Sequence, residues 1–289
     1  MKLDKRIQKD LKDLYNGGAT PGVIKDALGL NGLIQTKTGQ TSFATKALPG
    51  YYTGNRKAKT VMVMLNPGID VNVANNNLIC DILKASMVNA GDVKGYHKWC
   101  ANYGHIDKSR QDNFDLKQAF FLHYWKNTDI ALPKSLCAKP KSDSQTLLDA
   151  KEIVLTEKLQ LELIPYASSS FSSFTKGKIS LVFPFVETLF DEIFSQDRTY
   201  VIFCSRKFER VFKEYNKKHP GSIDFKGFFS QNIDGSKIKG SCTKICIHYN
   251  NKSLNAIIAN TFPNQALPNA YYLMEEYGTF CYNVFNNIP

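Results

Sequence analysis

The stretch Thr60-Val61-Met62-Val63-Met64-Leu65-Asn66-Pro67-Gly68 decides how this chain is read. Its first six residues show neither helical spacing nor alternation, so they predict a short strand buried on both faces. Asn66-Pro67-Gly68 ends that strand, because proline has no N–H to give a ladder and glycine accepts the turn. Three further units repeat the pattern. Leu159–Ile164 runs into Pro165-Tyr166-Ala167-Ser168-Ser169-Ser170, Tyr200–Cys204 into Ser205-Arg206, and Ala256–Ala259 into Asn260-Thr261-Phe262-Pro263-Asn264. Helical patterns fall near 75–90, 111–127, 179–195, 206–218 and 268–277. Strands alternating with helices predict an α/β fold, a three-layer α/β/α arrangement with a central, mostly parallel four-stranded sheet.

Leu3, Ile7, Leu11 and Leu14 predict an amphipathic helix over 2–15, stopped by Asn16-Gly17-Gly18, with Lys2, Lys5, Arg6, Lys9 and Lys12 on its solvent face. Thr20-Pro21 opens a second helix. Residues 35–59 read as loop, 133–146 as a surface loop, and 237–249 as an extra strand or hairpin. The expected organisation is a single domain, 1–289, with a basic helical extension over 1–59 and insertions near 91–147 and 219–250.

With 289 residues, 43% hydrophobic and 22% charged, the composition supports a sizeable core and excludes collagen, coiled coil and wholesale disorder. No apolar run reaches the roughly 20 residues a spanning helix needs. The charged start MKLDKRIQKDLKDL has no signal-peptide core, so a cytoplasmic protein without membrane contact is expected. Seven scattered cysteines fit reduced thiols, and neither a cofactor nor a metal is expected.

The net charge of +11 is unevenly placed. Residues 1–60 hold 11 Lys+Arg against 4 Asp+Glu, residues 206–252 again hold 11 against 4, and the remainder is slightly acidic. Two basic segments suit an enzyme gripping a polyanion, or else a solubilising surface. Arg206 and Lys207 stand where a strand end meets a helix start, a place that favours phosphate. Neither a P-loop nor a G-x-G-x-x-G fingerprint occurs, which weakens nucleotide hydrolysis and hydride transfer.

Met64-Leu65-Asn66-Pro67-Gly68 resembles the G-I-N-P-G motif of the mismatch-specific branch of the uracil-DNA glycosylase superfamily. Asn260-Thr261-Phe262-Pro263-Asn264 is similar to that superfamily's second motif, of the H/N-P-S type, departing from it by Thr-Phe before the proline. Leu159–Tyr166 sits where the family places its base-reading segment, with Pro165-Tyr166 in place of an asparagine. In order the three span residues 60–272.

The resemblance implies hydrolysis of the N-glycosidic bond of a flipped pyrimidine in DNA by a monomeric enzyme. Asn66 is the candidate for positioning the water, with Asp70 as an alternative base or water ligand, and Pro67 and Gly68 framing them. Asn260 would stabilise the leaving base or flipped sugar. Tyr166, Ser168 and Ser169 are candidates for stacking on the base and bonding its edge or a phosphate. Phe262, Asn264, Gln265 and Leu267 would face the base and minor groove, with Leu267 or Gln265 filling the vacated stack. The departures make a modified base plausible, such as the hydroxymethylated or glucosylated cytosine of phage DNA, excised as antiviral defence. A single-stranded substrate would favour stacking on Trp99, Tyr103 and Phe171. Two readings from other classes stay open: a non-catalytic basic α/β module that binds nucleic acid, and a nucleotide or nucleoside hydrolase.

Overall fold

A computed structural model describes residues 2–15, 21–36, 39–40, 43, 48–65, 92–106, 113–125, 144–168, 171, 173–233, 238–260 and 273–288. In chain order the elements are helices α1 (Leu3–Tyr15) and α2 (Pro21–Ala27), then strands β1 (Ile34–Thr36), β2 (Gly39–Gln40), β3 (Tyr52–Gly54) and β4 (Thr60–Met64). Helices α3 (Val93–Ile106), α4 (Asn113–Trp125) and α5 (Ser144–Glu157) follow, then β5 (Lys158–Glu162) and β6 (Ser173–Phe174). A 3-10 turn at Ile179–Val182 leads into α6 (Phe183–Ile193). Then come β7 (Tyr200–Phe203), α7 (Lys207–Lys218), β8 (Ile223–Ile233), β9 (Ile238–Tyr249), β10 (Lys252–Ala259) and α8 (Leu273–Asn286).

The fold is α/β, with a mixed seven-stranded sheet in the order β3-β5-β4-β7-β10-β9-β8 and a small sheet in the order β2-β1-β6. β4 and β7 run parallel, Val61 opposite Val201, and β7 and β10 run parallel, Ile257 opposite Ile202. All of β4, the last three residues of β7 and the last four of β10 are buried, as strands covered on both faces must be. Beyond the ends of β5 and β4 the Leu163 N–H donates to the Met64 carbonyl and the Ile164 N–H to the Leu65 carbonyl. The rising numbers show the two segments leaving the sheet in the same direction.

Among the described residues the sheet has seven strands, not the expected four. The 35–59 stretch read as loop contributes the short β1, β2 and β3, and the 219–250 insertion forms the long antiparallel pair β8–β9. β8 escaped the sequence reading because it is exposed along most of its length, and a bulge between Phe225 and Gly227 resets its alternation. Ser144–Thr146 begin α5 rather than ending a loop, while Pro133–Asp143 lie outside the described residues, as does the 75–90 helix expectation. α8 runs to Asn286, past the end of the 268–277 pattern, while 268–272 lie outside the described residues.

The chain divides into two compact units, one of residues 1–53, 64–101 and 160–197, the other of 54–63, 102–159 and 198–289. In the first, α1 buries Leu3, Ile7 and Leu11 together with Arg6 and Asp10 on the same side, since positions three and four apart share a helix face. Arg6 therefore leaves the expected solvent face: it is 4% exposed, its guanidinium 3.8 Å over the Phe185 ring. Its Nη1 donates to the Pro184 carbonyl (3.1 Å) and to Thr188 Oγ1 (3.3 Å). Lys2, Lys5, Lys9 and Lys12 do stay exposed.

Asp10 Oδ2 accepts from Tyr51 Oη (2.6 Å) and Tyr166 Oη (3.0 Å). Burial raises its pKa above the ordinary 3.8, against the pull of those hydroxyls and of Arg6. A carboxyl whose folded pKa is raised binds its proton more tightly folded than unfolded, so its contribution favours folding at acid pH and is lost as pH climbs from 3.8 through the folded value. Asp10→Asn removes that dependence while keeping an acceptor for both tyrosines. The stability of the variant relative to wild type, from urea unfolding across this window, is expected to rise with pH; a difference independent of pH would refute the assignment.

In the second unit Trp125 of α4 packs against Phe121, Tyr200, Tyr282 and Phe285, with ring centroids 5.5–6.2 Å apart. The Lys244 ammonium of β9 caps α8, donating to the Phe285 carbonyl (2.6 Å) and Asn287 Oδ1 (2.8 Å). Among the described residues no helix is long and apolar enough to cross a membrane.

Candidate functional site

In an open α/β sheet, ligands sit outside the carboxyl ends of the parallel strands, where the strand order reverses. Here the chain passes from β4 outward to β5, then back across to β7 and on to β10, so the reversal falls beside β4 and β7. Asn66 follows β4 by two residues, but Asn66, Pro67, Gly68 and Asp70 lie outside the described residues. The carboxyl ends of β7 and β10, both in the second unit, are described and carry a connected polar cluster.

Asn260 directly follows β10 and is 7% exposed. Its N–H donates to Tyr277 Oη (2.6 Å), which in turn donates to the Ser241 carbonyl (2.9 Å). Ser241 Oγ donates to Asn260 Oδ1 (2.8 Å), fixing which way the amide points and turning Nδ2 to the other side. Ala259 pairs with Cys242 across the β9–β10 ladder, which is why Ser241 and Asn260 meet.

The cluster continues onto the end of β7. Arg206 Nη1 donates to Ser241 Oγ (3.4 Å), and its Nε (3.1 Å) and Nη2 (3.0 Å) both reach Glu209 Oε1, which also accepts from Thr243 Oγ1 (2.7 Å). The guanidinium lies 4.5 Å from the centre of the Phe228 ring. Arg206 is exposed, so its positive charge, though offset by Glu209, faces solvent in a fixed plane. Lys207 opens α7, its N–H donating to Ser205 Oγ (3.3 Å), and partial burial holds its ammonium below the usual lysine pKa.

The structure thus brings Asn260 and Arg206 together through Ser241, with Lys207 the next residue in the chain. It does not present Tyr166 as a stacking surface. That residue is 1% exposed, its hydroxyl held by Asp10 and its ring edge-on to Phe43 and Phe185, so it is a core residue of the first unit. Ser168 is likewise buried, in a bridge to Phe43. Ser169, Phe262, Asn264, Gln265 and Leu267 lie outside the described residues, as do the side chains of Trp99 and Tyr103. Phe171 packs against Phe174, with centroids 4.9 Å apart.

The cavity lined by Leu3, Tyr51, Glu162, Phe185, Thr188 and Glu192 in the first unit measures about 10 Å3, room for about one water and not for a base. His248 joins Ser253 Oγ (2.8 Å) and Asp224 Oδ2 (3.3 Å), but all three sit on the open surface of the β8–β10 ladder. Water competes for these groups there, and Asp224 is shared with Lys226 (3.0 Å). The contact set is a cross-strand tie.

Ser241, Thr243, Glu209, Tyr277 and Phe228 were not singled out from the sequence. The alternation of Ser241, Thr243, Ile245 and Ile247 marks one face of a strand, yet only the ladder register shows that its polar end meets Asn260. No protein-family model matches the chain, and no curated protein or solved structure matches it.

Proposed function

We propose that this chain is a DNA glycosylase that hydrolyses the bond between sugar and base at a flipped, uracil-like or modified pyrimidine, leaving an abasic site. The observation that carries the reading is the Asn260 amide, fixed by Ser241 at the carboxyl end of β10 with the Arg206 guanidinium bound to the same hydroxyl. Breaking an N-glycosidic bond puts negative charge on the departing base, and a donor already oriented toward that charge lowers the barrier without reorganising. Asn260 Nδ2 is such a donor, because its Oδ1 is committed to Ser241.

On the resemblance, Asn66 or Asp70, which follow β4 in the chain, would hold the attacking water. Arg206 and Lys207, at the start of α7, take a backbone phosphate, helped by the helix dipole. The strands β5, β4 and β10, whose ends carry its three motifs, lie with β7 as four neighbours of one sheet, which supports the resemblance. With helices on both faces they would form the α/β/α core the resemblance implies. Hydroxymethylated or glucosylated cytosine of phage DNA is the modified substrate this reading includes, and a monomer acting in the cytoplasm is the form it describes.

The test is base release. Single- and double-stranded DNA carrying uracil, a mismatch, hydroxymethylcytosine or glucosylated cytosine is incubated with the protein, treated with alkali and examined for strand breaks. At least one substrate is expected to break at the marked base. A protein that binds these DNAs and breaks none of them is the non-catalytic module instead.

A further inference from the structure

The outer strand β8 carries an exposed aromatic run that touches the base-release site only at Arg206, through Phe228. Phe228 and Phe229 are 54% and 40% exposed, among the few large apolar side chains that the described residues leave in solvent. Phe228 pairs with Thr243 and Phe229 with Cys242, so the two rings project to opposite faces of the sheet edge. Between them and Phe225 lies the bulge, and there Gly227 has a definite role. A Cβ at this position would stand 3.0 Å from the Phe229 ring, so the absent side chain lets that ring lie across the backbone.

Cations are interleaved with these rings. The Arg206 guanidinium lies over Phe228, the Lys213 ammonium stands 5.6 Å from the centre of the Phe225 ring, and Lys226 is exposed at the bulge. Beyond the rings the strand continues as exposed Ser230, Gln231 and Asn232, all hydrogen-bonding side chains, with exposed Lys239 paired to Asn232. Exposed planar rings beside fixed positive charge, followed by polar groups along one strand, suit a chain of unstacked bases on a phosphate backbone.

We propose that an unpaired stretch of DNA crosses the β8 edge beside α7, one base stacking on Phe228 on the α7 side and another on Phe229 on the opposite face, while Arg206, Lys213 and Lys226 hold phosphates. The inference rests on the reading of DNA as the polymer this chain acts on. Duplex DNA keeps its bases stacked within the helix and offers these rings nothing to stack on. A second copy of the chain would bring the same cations face to face, and the lysine and bulge on the edge are devices that discourage strand pairing.

The experiment is fluorescence anisotropy with a labelled oligothymidylate and a duplex of the same length, at several salt concentrations. Wild type is expected to prefer the single strand and to weaken as salt rises. Phe228→Ala and Phe229→Ala should each weaken single-strand binding about tenfold, and tyrosine at either position should restore it, since the phenol ring still stacks. Both side chains are exposed, so unfolding does not follow from their removal; an unchanged thermal midpoint is the control. Gly227→Ala should also weaken binding by displacing the Phe229 ring. The proposal is overturned if the double alanine variant binds oligothymidylate as wild type does, if wild type prefers duplex, or if light scattering shows a dimer that the variant abolishes. Base release is scored separately. Intact β8 binding without base release rejects the glycosylase alone, whereas base release with unaltered single-strand binding in the variants rejects this surface alone.

Discussion

Asn260→Ala is expected to slow base release by about 10²–10³-fold, the size of effect that follows from removing one oriented donor in an oxyanion-type site. The side chain has two ends with different duties. Oδ1 accepts from Ser241 and belongs to the framework, while Nδ2 is the end assigned to the leaving base. Alanine removes both, so its effect on rate mixes chemistry with the loss of a buried hydrogen bond. Asn260→Asp separates them, because it keeps an acceptor for Ser241 but puts a carboxylate where the base builds up negative charge. A rate loss as large as that of alanine, with DNA affinity and thermal midpoint near those of wild type, is the expected outcome. Equal base release by Asn260→Asp and wild type would remove Asn260 from the chemistry and leave it as a strand-end tie between Ser241 and Tyr277. Single-turnover release rates at saturating protein are the measurement, since they isolate the bond-breaking step from binding.

The largest effect on stability is expected at Gly54, the last residue of β3. Its φ is +86°, and a Cβ built there would stand 2.5 Å from the Lys158 carbonyl oxygen, with the Leu155 carbonyl oxygen at 3.3 Å. Both contacts are to backbone at the junction of α5 and β5, where no rotamer change can give way. The left-handed backbone costs a non-glycine residue about 1–2 kcal/mol, and forced overlap in a packed region costs about 1–3 kcal/mol more. Gly54→Ala is therefore expected to lower unfolding stability by about 3 kcal/mol, read from the urea midpoint at unchanged slope. Asparagine tolerates positive φ elsewhere but carries the same Cβ, so Gly54→Asn should be no milder. Gly177, with φ +79° and no atom within 4 Å of the Cβ position, is the control: Gly177→Asn should cost far less. Equal losses at the two positions would show that the carbonyl contact does not matter.

Recognition of the fold from sequence succeeded where burial is two-sided and failed where it is not. Thr60–Met64 and Tyr200–Phe203 announce themselves as apolar runs because each strand lies between covered faces. β8 is paired with β9 along its length on both sides of its bulge, yet Asp224, Lys226, Ser230, Gln231 and Asn232 face water. Nothing in such a run distinguishes an edge strand from a polar loop. The helix over α1 was evident from its leucine spacing, whereas Arg6 was placed on its solvent face and Asp10 was not singled out, because their partners, Phe185, Thr188, Tyr51 and Tyr166, come from segments far along the chain.

The candidate site divides in the same way. Asn260 and Arg206 were visible as polar residues immediately after buried strands, a position that the alternation of strand and helix already marks as the ligand-bearing end. Local sequence therefore determined the α/β class, the buried central strands and the residues that leave their carboxyl ends, because hydrophobic periodicity and turn chemistry act over a few residues. Only the tertiary structure decided that Ser241 orients Asn260, that Glu209 and Phe228 hold Arg206, and that Tyr166 belongs to the core. Those outcomes depend on the register of β9 against β10 and on helices docking onto strands far removed in sequence. Hydrogen bonds between residues so distant in the chain exist only once the ladder and its packing are in place.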